Sequence, residues 1–486
     1  MKVDGKKYIY AIVFLVFFAI CSILLLTETN KDLEHVLSQQ GVICTGIFAS
    51  FLFFNTKTTG RILNFASVLV MVLFVFNFGQ LFIYTFLQNV YSHIRFMNLL
   101  TLKESVFGFK MMIMCFGFIC LGLLFGSMPS NKNIINKNKS INNEYDWYKV
   151  SKKIILYTFP VKVIVDVLCL YVSMTEGGPA ARTWLNEFPN VITDYGKISL
   201  IGLALLIITL RDDPKKQRIA FCFTEFYILI AMLSGIRSEN VAYMLVFAML
   251  YFISKKDKIK FSLIVLYGVA GVFALTFIVA AGEFRSVDDK SISSFINVLN
   301  IAITEKNVIF LLLDQLGDTG YTGLCVLNKW LPNFSPFYGE SYYKGVFAII
   351  PNIPGLTDLP GQITASSSFM VLMQENHALS DAYVNIGGSL FGEFFFNFGK
   401  IGGMIFAFLT GCFLGKISKK TNISIAENNY YGLITYIPIM FAVVYWVRDY
   451  FGGIIREAIW GPLFCYFLLK FVLNKSCAAK VDDTKG

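Results

Sequence analysis

Three arginines stand where a hydrophobic run gives way to a short polar segment, and their side chains could bind phosphate. Arg237 lies in the turn 235–240, Arg285 directly follows a hydrophobic run, and Arg448 lies in the turn 446–453. A guanidinium group is planar, permanently charged and able to hold two phosphate oxygens at once. An arginine at a membrane edge also commonly extends towards lipid headgroups without any further role. The sequence leaves both interpretations open at each position.

Acid–base chemistry has three candidate groups near the same segments. His377 lies in a polar stretch, Glu393 lies in the motif 388–399, and Glu239 is two residues beyond Arg237. An imidazole or a carboxylate can take a proton from an attacking hydroxyl that lies within hydrogen-bond reach. A single histidine among polar residues is more often simply solvated. The sequence therefore offers these three groups as bases without ranking them.

Further ionisable residues fall inside the hydrophobic runs. Lys162 and Asp166 are four residues apart, so they share a helix face and are expected to neutralise one another. Arg456 and Glu457 lie just inside the last run, where an ionisable side chain is a functional candidate by default. The structural alternative is a buried ion pair, either between Arg456 and Glu457 or between Arg448 and Asp449 in the preceding turn. Glu225 has no evident partner and is predicted to face a cavity.

The cysteines and histidines show no metal-ligand spacing. Eight of the ten cysteines lie within hydrophobic runs, where they act as small apolar side chains, and Cys325 is the one in the long polar stretch. The three histidines are isolated, and no H-x-x-H or H-E-x-x-H sequence occurs. Neither a G-x-S-x-G elbow nor a phosphate-binding P-loop sequence is present. We therefore predict activity without a metal ion or an organic cofactor.

The composition is that of an integral membrane protein. Of 486 residues, 56% are hydrophobic and 16% aromatic, with 49 Phe and a mean hydropathy of +0.61. Soluble domains are about 45–50% apolar on a similar count. Helices need about 20 apolar residues to cross the hydrocarbon core. By this measure the sequence predicts an all-α polytopic protein with about twelve spans, at 8–26, 37–54, 62–87, 107–127, 153–174, 193–210, 219–235, 241–254, 261–282, 401–418, 430–446 and 454–472.

The distribution of positive charge predicts the orientation. With the N-terminus in the cytoplasm, the inner segments hold 26 Lys and Arg, and the short outer connections hold seven. Cytoplasmic segments retain positive charge, so both termini are expected inside. The net charge of +10 is spread over inner-face turns beside anionic lipid, which argues against nucleic acid as a partner.

One long interval separates two hydrophobic parts of the chain. The sequence predicts N-terminal spans over 1–282, a large external loop over 283–400, and C-terminal spans with a cytoplasmic tail over 401–486. The loop has six basic and eleven acidic residues. Its aromatic side chains could stack on sugars or simply pack in a core. We expect the loop to cover a site at the membrane edge as a lid, with His377 and Glu393 contributing to its sugar-binding surface.

Two local patterns and the overall layout carry a resemblance to a known family. The patterns are Gly235-Ile236-Arg237 in a tight hairpin, and the loop exit in which Gly392-Glu393 is followed by Asn397-Phe398-Gly399. With a dozen spans and one large late loop, the chain resembles the O-antigen polysaccharide polymerases of the Wzy type. The loop exit is similar to that family's "GE-x-Y-x-NFG" stretch, although Phe395 replaces the tyrosine.

The resemblance implies transfer of a growing glycan from one undecaprenyl pyrophosphate carrier to a fresh lipid-linked repeat unit. This transfer would occur at the outer face of the bacterial plasma membrane and would build lipopolysaccharide O-antigen or a related surface polysaccharide. The implied fold is similar to type C glycosyltransferases, and the implied partners are a lipid-linked repeat-unit flippase and a chain-length regulator. Arg237, Arg285 and Arg448 would stabilise the leaving pyrophosphate. His377, Glu393 or Glu239 would accept the proton.

Three alternatives stay open at this level. An O-antigen ligase-like transferase would share the fold, the membrane face and the arginines, but would move the glycan to a different acceptor. A transporter or flippase of lipid-linked sugars would be expected to show paired broken helices and a central polar cavity. A purely structural envelope protein would leave the outer arginines and Glu225 without a role.

Overall fold

The computed structural model of the chain describes residues 5–27, 32–87, 95–128, 146–177, 188–234, 237–255, 291–304, 308–350 and 387–473, with isolated positions within 180–185 and 271–289. These residues are almost all in helices. In chain order the helices are α1 (Gly5–Thr27), α2 (Leu33–Thr59), α3 (Phe65–Leu87), α4 (Arg95–Leu99), α5 (Leu102–Ser127), α6 (Trp147–Thr175), α7 (Asn190–Thr209), α8 (Pro214–Ala231), α9 (Arg237–Ser254), α10 (Ile292–Thr304), α11 (Val308–Gly317), α12 (Thr319–Cys325), α13 (Glu340–Phe347), α14 (Leu390–Glu427), α15 (Tyr430–Trp446) and α16 (Phe451–Phe467).

Nine helices among the described residues are long and apolar enough to cross a membrane. They coincide with nine of the predicted spans. The predicted spans 241–254 and 430–446 coincide with the shorter apolar helices α9 and α15. The predicted span 261–282 falls almost entirely outside the described residues. The all-α polytopic class is therefore confirmed, whereas the number twelve and the likeness to type C glycosyltransferases stay predictions.

Helix α3 forms the centre of the described bundle. Its side chains are buried along most of its length. The ring centroid of Phe78 lies 5.3 Å from that of Phe116 in α5 and 6.1 Å from that of Phe391 in α14. By contrast, α1 exposes apolar side chains such as Ile12 and Ile23, as expected for a helix facing lipid.

The closest helix pair is formed by α5 and α14, through small residues on both sides. Gly122 and Gly126 of α5 face Gly411 and Gly415 of α14, so each helix contributes glycines four residues apart. A Cβ atom added at any of the four would collide with backbone atoms of the other helix. Such small-residue faces let two membrane helices approach closely and pack over a long contact.

Part of the predicted external loop packs against the centre of the bundle instead of standing apart from it. Helices α11 and α12 contact α3, and a Cβ at Gly79 would come 2.5 Å from the carbonyl oxygen of Leu313. Gln80 Nε2 donates to Asp314 Oδ1 at 3.0 Å. Every residue of α12 is buried. Residues 319–327 are therefore part of the packed core, and the lid interpretation of the rest of the interval stays a prediction.

The motif 388–399, predicted as the exit of the loop, is the first segment of α14. Ser389 caps the helix by accepting from the backbone N–H of Gly392 at 3.2 Å. The helix is interrupted at Gly399, whose φ of 68° and ψ of −171° are available mainly to glycine. Residues from Leu390 to Asn397 are buried, Phe395 among them. This motif builds the interior of the protein and is no exposed sugar-binding surface.

Candidate active site

The turn between α15 and α16 carries Arg448, and the start of α14 supports it. The backbone N–H of Leu390 donates to the carbonyl oxygen of Val447 at 3.4 Å. A Cβ at Gly388 would come 2.8 Å from the Cα of Asp449, so only glycine allows this approach. A Cβ at Gly387 would lie 3.3 Å from the Arg448 side chain. The backbone of residues 387–390 is therefore in direct contact with the backbone of residues 447–449.

Glu393 forms hydrogen bonds with both ends of the same turn. Its carboxylate is completely buried and accepts from Trp446 Nε1 at 2.6 Å. It also accepts from the backbone N–H of Phe451, at 3.1 Å to Oε1 and 3.0 Å to Oε2. Trp446 ends α15 and Phe451 begins α16, so one carboxylate holds the two helix ends together. This geometry fixes the two helix ends that flank Arg448.

Hydrogen bonds connect residues 387–389, which support this turn, to the rest of the bundle. Ser389 Oγ donates to Asn77 Oδ1 of α3 at 3.1 Å. Thr322 Oγ1 of α12 donates to the carbonyl oxygen of Gly387 at 2.7 Å. Because the supporting residues are buried and paired, the position of the turn is tied to the core helices.

Arg448 lies on a narrow cleft with mostly apolar walls, too tight in this structure to hold a water molecule. The walls come from α3, α9 and α15, and the remaining lining residues are Val72, Phe76, Ser238, Val241, Ala242, Leu245, Val444 and Tyr445. The guanidinium carbon of Arg448 lies 6.0 Å from the centroid of the Phe76 ring. We call this space the arginine cavity.

The first turn of α9 contributes a second positive element to the arginine cavity. Ser238 lines the cavity, and Arg237 is the first residue of the helix. The N-terminus of a helix carries about half a positive charge from its unpaired N–H groups. The structure therefore places the start of α9 beside Arg448, which brings two of the three predicted phosphate-binding segments together.

A charged cluster lies on another face of α9. We define it as Asp194 and Lys197 of α7, Glu239 and Tyr243 of α9, and Arg456 and Glu457 of α16. Lys197 pairs with Glu239, and its Nζ lies 3.9 Å from Glu457 Oε2. The Tyr243 hydroxyl lies 2.5 Å from Glu239 Oε1 and 3.1 Å from Glu457 Oε2. The ends of three helices thus meet through charged side chains.

The charged cluster adjoins a second, small cavity of about 10 Å³, which is room for about one water molecule. Its lining residues are Asp194, Lys197, Ile201, Pro438, Phe441, Glu457, Trp460 and Gly461. We call it the carboxylate cavity. Helix α15 lines both cavities: Pro438 and Phe441 face this one, and Val444 and Tyr445 lie on the other.

Comparison with models of protein families shows which family the chain belongs to. The model of the O-antigen polysaccharide polymerase Wzy family matches residues 8–480. The chain belongs to that family. No curated protein and no solved structure matches it. Membership in the Wzy family makes the chain a multi-pass membrane protein with polymerase activity of the glycosyltransferase type, acting on lipid-linked oligosaccharide repeat units.

The structure describes some of the site residues that the sequence of this Wzy family member predicts, and others lie outside the described residues. Arg448, Glu239 and Glu393 are described with their side chains. Arg237 is placed as the first residue of α9, and its side chain is not described. Arg285 and His377 lie outside the described residues. The roles assigned to these six residues therefore stay proposals for this Wzy family member.

Two ion pairs were considered inside the spans, and the structure contains one of them. Arg456 does not pair with Glu457; its Nη2 donates to Asp194 Oδ2 of α7 at 2.7 Å. Neighbours in sequence on a helix point about 100° apart, so a partner on another helix is easier to reach. The expected pair of Lys162 Nζ and Asp166 Oδ1 is confirmed at 2.5 Å.

Glu225 was predicted to face a cavity, and neither described cavity includes it. Its Oε1 is buried without a hydrogen-bond partner in the described part of the chain.

Four residues of the charged cluster and the carboxylate cavity were not singled out in the sequence: Asp194, Lys197, Tyr243 and Trp460. A signal for the first two was present, because Asp194 and Lys197 are ionisable residues in the first turns of the predicted span 193–210. Tyr243 and Trp460 gave no such signal, since aromatic residues are common at membrane interfaces. Among the described residues, no group of three His, Cys, Asp or Glu side chains could hold a metal ion.

Proposed function

We propose that the protein polymerises undecaprenyl-pyrophosphate-linked repeat units into O-antigen or a related surface polysaccharide. The growing glycan is transferred to a new lipid-linked repeat at the outer face of the bacterial plasma membrane. Besides family membership, one structural observation supports this proposal. Arg448 and the start of α9 meet at a cavity whose other walls are mostly apolar.

This arrangement suits a lipid-linked pyrophosphate. The prenyl chain of the carrier is apolar and favours apolar walls, while its pyrophosphate needs cations and N–H donors. The arginine cavity offers both within a few residues of Arg448. A purely polar substrate would gain nothing from contact with Val72 or Leu245.

The arginines supply the main catalytic effect in this proposal. When the glycan leaves, negative charge develops on the pyrophosphate oxygen that was bonded to the sugar. Arg448, together with Arg237 and Arg285, stabilises that charge more strongly than the neutral bond. Cationic side chains take the place that a divalent metal ion has in other transferases, so we propose metal-independent transfer.

The predicted orientation agrees with this location of the chemistry. The arginine cavity lies near the start of α9, and the carboxylate cavity lies near the starts of α7 and α16. The Lys- and Arg-rich connections follow the other ends of α7 and α9. With cytoplasmic termini, the cavities then open on the outer side. A flippase that delivers repeat units and a chain-length regulator are the partners we propose.

Of the three bases offered by the sequence, Glu239 has the most suitable surroundings among the described side chains. Glu393 is completely buried, and both of its oxygens accept from Trp446 or Phe451, so we assign it to positioning. Glu239 belongs to the charged cluster and contacts Lys197 and Tyr243. His377 stays a sequence-based candidate.

Deletion of the gene tests the proposed function. Loss of a polymerase leaves surface glycan with a single repeat unit, and the wild-type gene on a plasmid restores the ladder of long chains. An O-antigen ligase gives a different result, namely full-length chains that stay unattached to their final acceptor. A transporter gives a third, with unpolymerised repeat units accumulating on the inner face.

A further inference from the structure

Helix α13 belongs to the interval that the sequence predicts as an external loop, yet it lies alongside a spanning helix. A Cβ added at Gly345 would come 3.0 Å from the Cα of Gly452, in the first turn of α16. Just beyond the end of α13, the carbonyl oxygen of Ile349 accepts from Trp460 Nε1 at 2.8 Å. Gly452 and Trp460 are about 12 Å apart along α16. The segment 345–349 therefore descends beside the first three turns of α16 and does not lie above its end.

Helix α16 gives this contact a depth in the membrane. Its residues belong to Phe451–Lys470, one of the nine segments among the described residues that are long and apolar enough to cross a bilayer. Helix α13 has 8 residues. Its length of about 12 Å is too short for a hydrocarbon core of about 30 Å. A helix of this length beside the first turns of α16 can enter one leaflet but cannot cross both.

The polarity of α13 changes along its descent. The charged residues are near its beginning, where Glu340 and Lys344 form an ion pair at 2.6 Å. Residues 346–350 are Val, Phe, Ala, Ile and Ile, so they contain no polar side chain. Val346 and Phe347 are 47% and 48% exposed, on the side of the helix that faces away from α16. Exposed apolar side chains are unfavourable in water and favourable in hydrocarbon.

The backbone at the C-terminal end of α13 forms its hydrogen bonds within the protein. The N–H groups of Ala348, Ile349 and Ile350 donate to the carbonyl oxygens three residues earlier, at 3.0–3.2 Å. The carbonyl oxygen of Ile349 accepts from the Trp460 indole. Inside a bilayer such pairing is required, because hydrocarbon supplies neither donors nor acceptors. The end of α13 therefore has backbone pairing that suits a position at membrane depth.

We propose that α13 enters the bilayer as a partial helix, with Val346, Phe347 and Ile350 in contact with phospholipid acyl chains. The leaflet is the one that holds the start of α16, which is the outer leaflet in the predicted orientation. The partner is the surrounding lipid, because the segment combines membrane depth, exposed apolar side chains and a paired backbone. This contact goes beyond the proposed polymerase function and does not depend on which reaction the protein catalyses.

The same helix contacts the residues that flank Arg448. The centroid of the Tyr342 ring lies 5.2 Å from that of Phe451 and 6.3 Å from that of Trp446. Trp446 and Phe451 are the two helix ends that form hydrogen bonds with Glu393. Helix α13 therefore joins a lipid-contacting surface to the support of the candidate active site.

Site-specific photocrosslinking tests the contact in the full-length protein. The photoreactive amino acid p-benzoylphenylalanine, which reacts with C–H bonds that its ring touches, replaces Phe347 in one variant and Val346 in a second. Each variant is reconstituted in nanodiscs of phospholipid with tritium-labelled acyl chains and without any prenyl carrier. After irradiation, both variants should carry at least about tenfold more labelled lipid than the wild type, because the probe lies among acyl chains.

Two further positions calibrate the yield of labelled lipid. Ile23 is an exposed apolar residue of the spanning helix α1, so the probe there should give a yield within about threefold of that at Phe347. Glu427 is an exposed carboxylate at the end of α14, and the probe there should give only the wild-type background. The melting temperature of each variant is measured first, so that yields are compared between folded proteins.

The proposed lipid contact is wrong if the probes at Phe347 and Val346 give no more labelled lipid than the probe at Glu427, while the probe at Ile23 does. Crosslinks from these two positions to another part of the chain, or to a second copy seen as a dimer on a gel, would show that protein covers this face. That result would also overturn the lipid contact. Neither result affects the polymerase proposal, which is tested by chain growth.

Discussion

At the scale of single residues, the proposed function pairs Arg448 with Glu393: the first would contact the pyrophosphate, and the second holds the turn that carries the first. Arg448→Ala should lower the rate of transfer about 10²- to 10³-fold, because a cation beside the leaving pyrophosphate is lost. Surface glycan should then shift to short chains at equal expression. Arg448→Lys keeps the charge without the planar fork and should give an intermediate ladder.

The control for this prediction is Arg218→Ala, which removes an exposed arginine from α8. Arg237→Ala and Arg285→Ala should also shorten the chains. Unchanged ladders from all three candidate arginines would contradict a pyrophosphate clamp.

Glu393 gives a separate prediction at the same scale. Glu393→Ala leaves the Trp446 indole and the Phe451 backbone N–H buried without acceptors, at about 1–3 kcal/mol each. Thermal unfolding of the detergent-solubilised variant should therefore occur at a clearly lower temperature. Glu393→Gln retains an acceptor oxygen and should keep more of the stability and more of the chain length. If Glu393 were the base, Glu393→Gln would be stable and inactive.

The sequence singled out Arg448 and Glu393 but did not indicate that they have different roles. The motif around Glu393 stood out, but burial and the bonds to Trp446 and Phe451 are properties of packing between distant segments. Asp194 and Lys197 look like ordinary members of a helix end until Glu239 and Glu457 are brought beside them. Residue type suggested phosphate binding at Arg448 as one of two interpretations, because the guanidinium fork suits phosphate oxygens.

At the scale of elements, the contact of α5 with α14 anchors the helix that carries the motif. Gly411→Ala or Gly415→Ala places a methyl group against the backbone of α5, which cannot move aside as a side chain would. Overpacking of this kind costs about 1–3 kcal/mol. Each variant should melt at a lower temperature than the wild type.

Gly46→Ala is the matched control, since the nearest atom to its added Cβ would be 3.7 Å away, which is ordinary contact. It should melt within about one degree of the wild type or slightly higher, because alanine favours helix over glycine. Equal loss of stability in all three variants would contradict the glycine contact as the basis of the packing.

Most of the spanning helices were predictable, because about 20 apolar residues in a row have few other uses in a folded protein. Their neighbours were not predictable. Glycines four apart in α5 and α14 are visible in the sequence, yet nothing there says that they face each other. The packing of α11 and α12 on α3 was missed for the same reason, since a polar interval between spans favours an external loop by composition.

At the scale of the whole molecule, the orientation makes a direct prediction. Tyr338 is 80% exposed and lies in the interval 283–400, so Tyr338→Cys should react with a membrane-impermeant maleimide on intact spheroplasts. Lys215→Cys, exposed at the start of α8, should react only after the membrane is permeabilised. The wild-type protein, whose cysteines are mostly buried, gives the background. The reverse pattern would place both cavities on the cytoplasmic side and contradict the proposed site of transfer.

The most direct test of the central claim uses the purified protein alone. Reconstituted in lipid nanodiscs with synthetic undecaprenyl-pyrophosphate-linked repeat units and EDTA, it should produce a ladder of multimers that remain on the pyrophosphate carrier. One free undecaprenyl pyrophosphate should be released for each linkage, with no nucleotide sugar, ATP or metal ion added. Arg448→Ala should release far less in the same time. The absence of multimers from active, folded protein, or release of the carrier by hydrolysis without chain growth, would contradict the account.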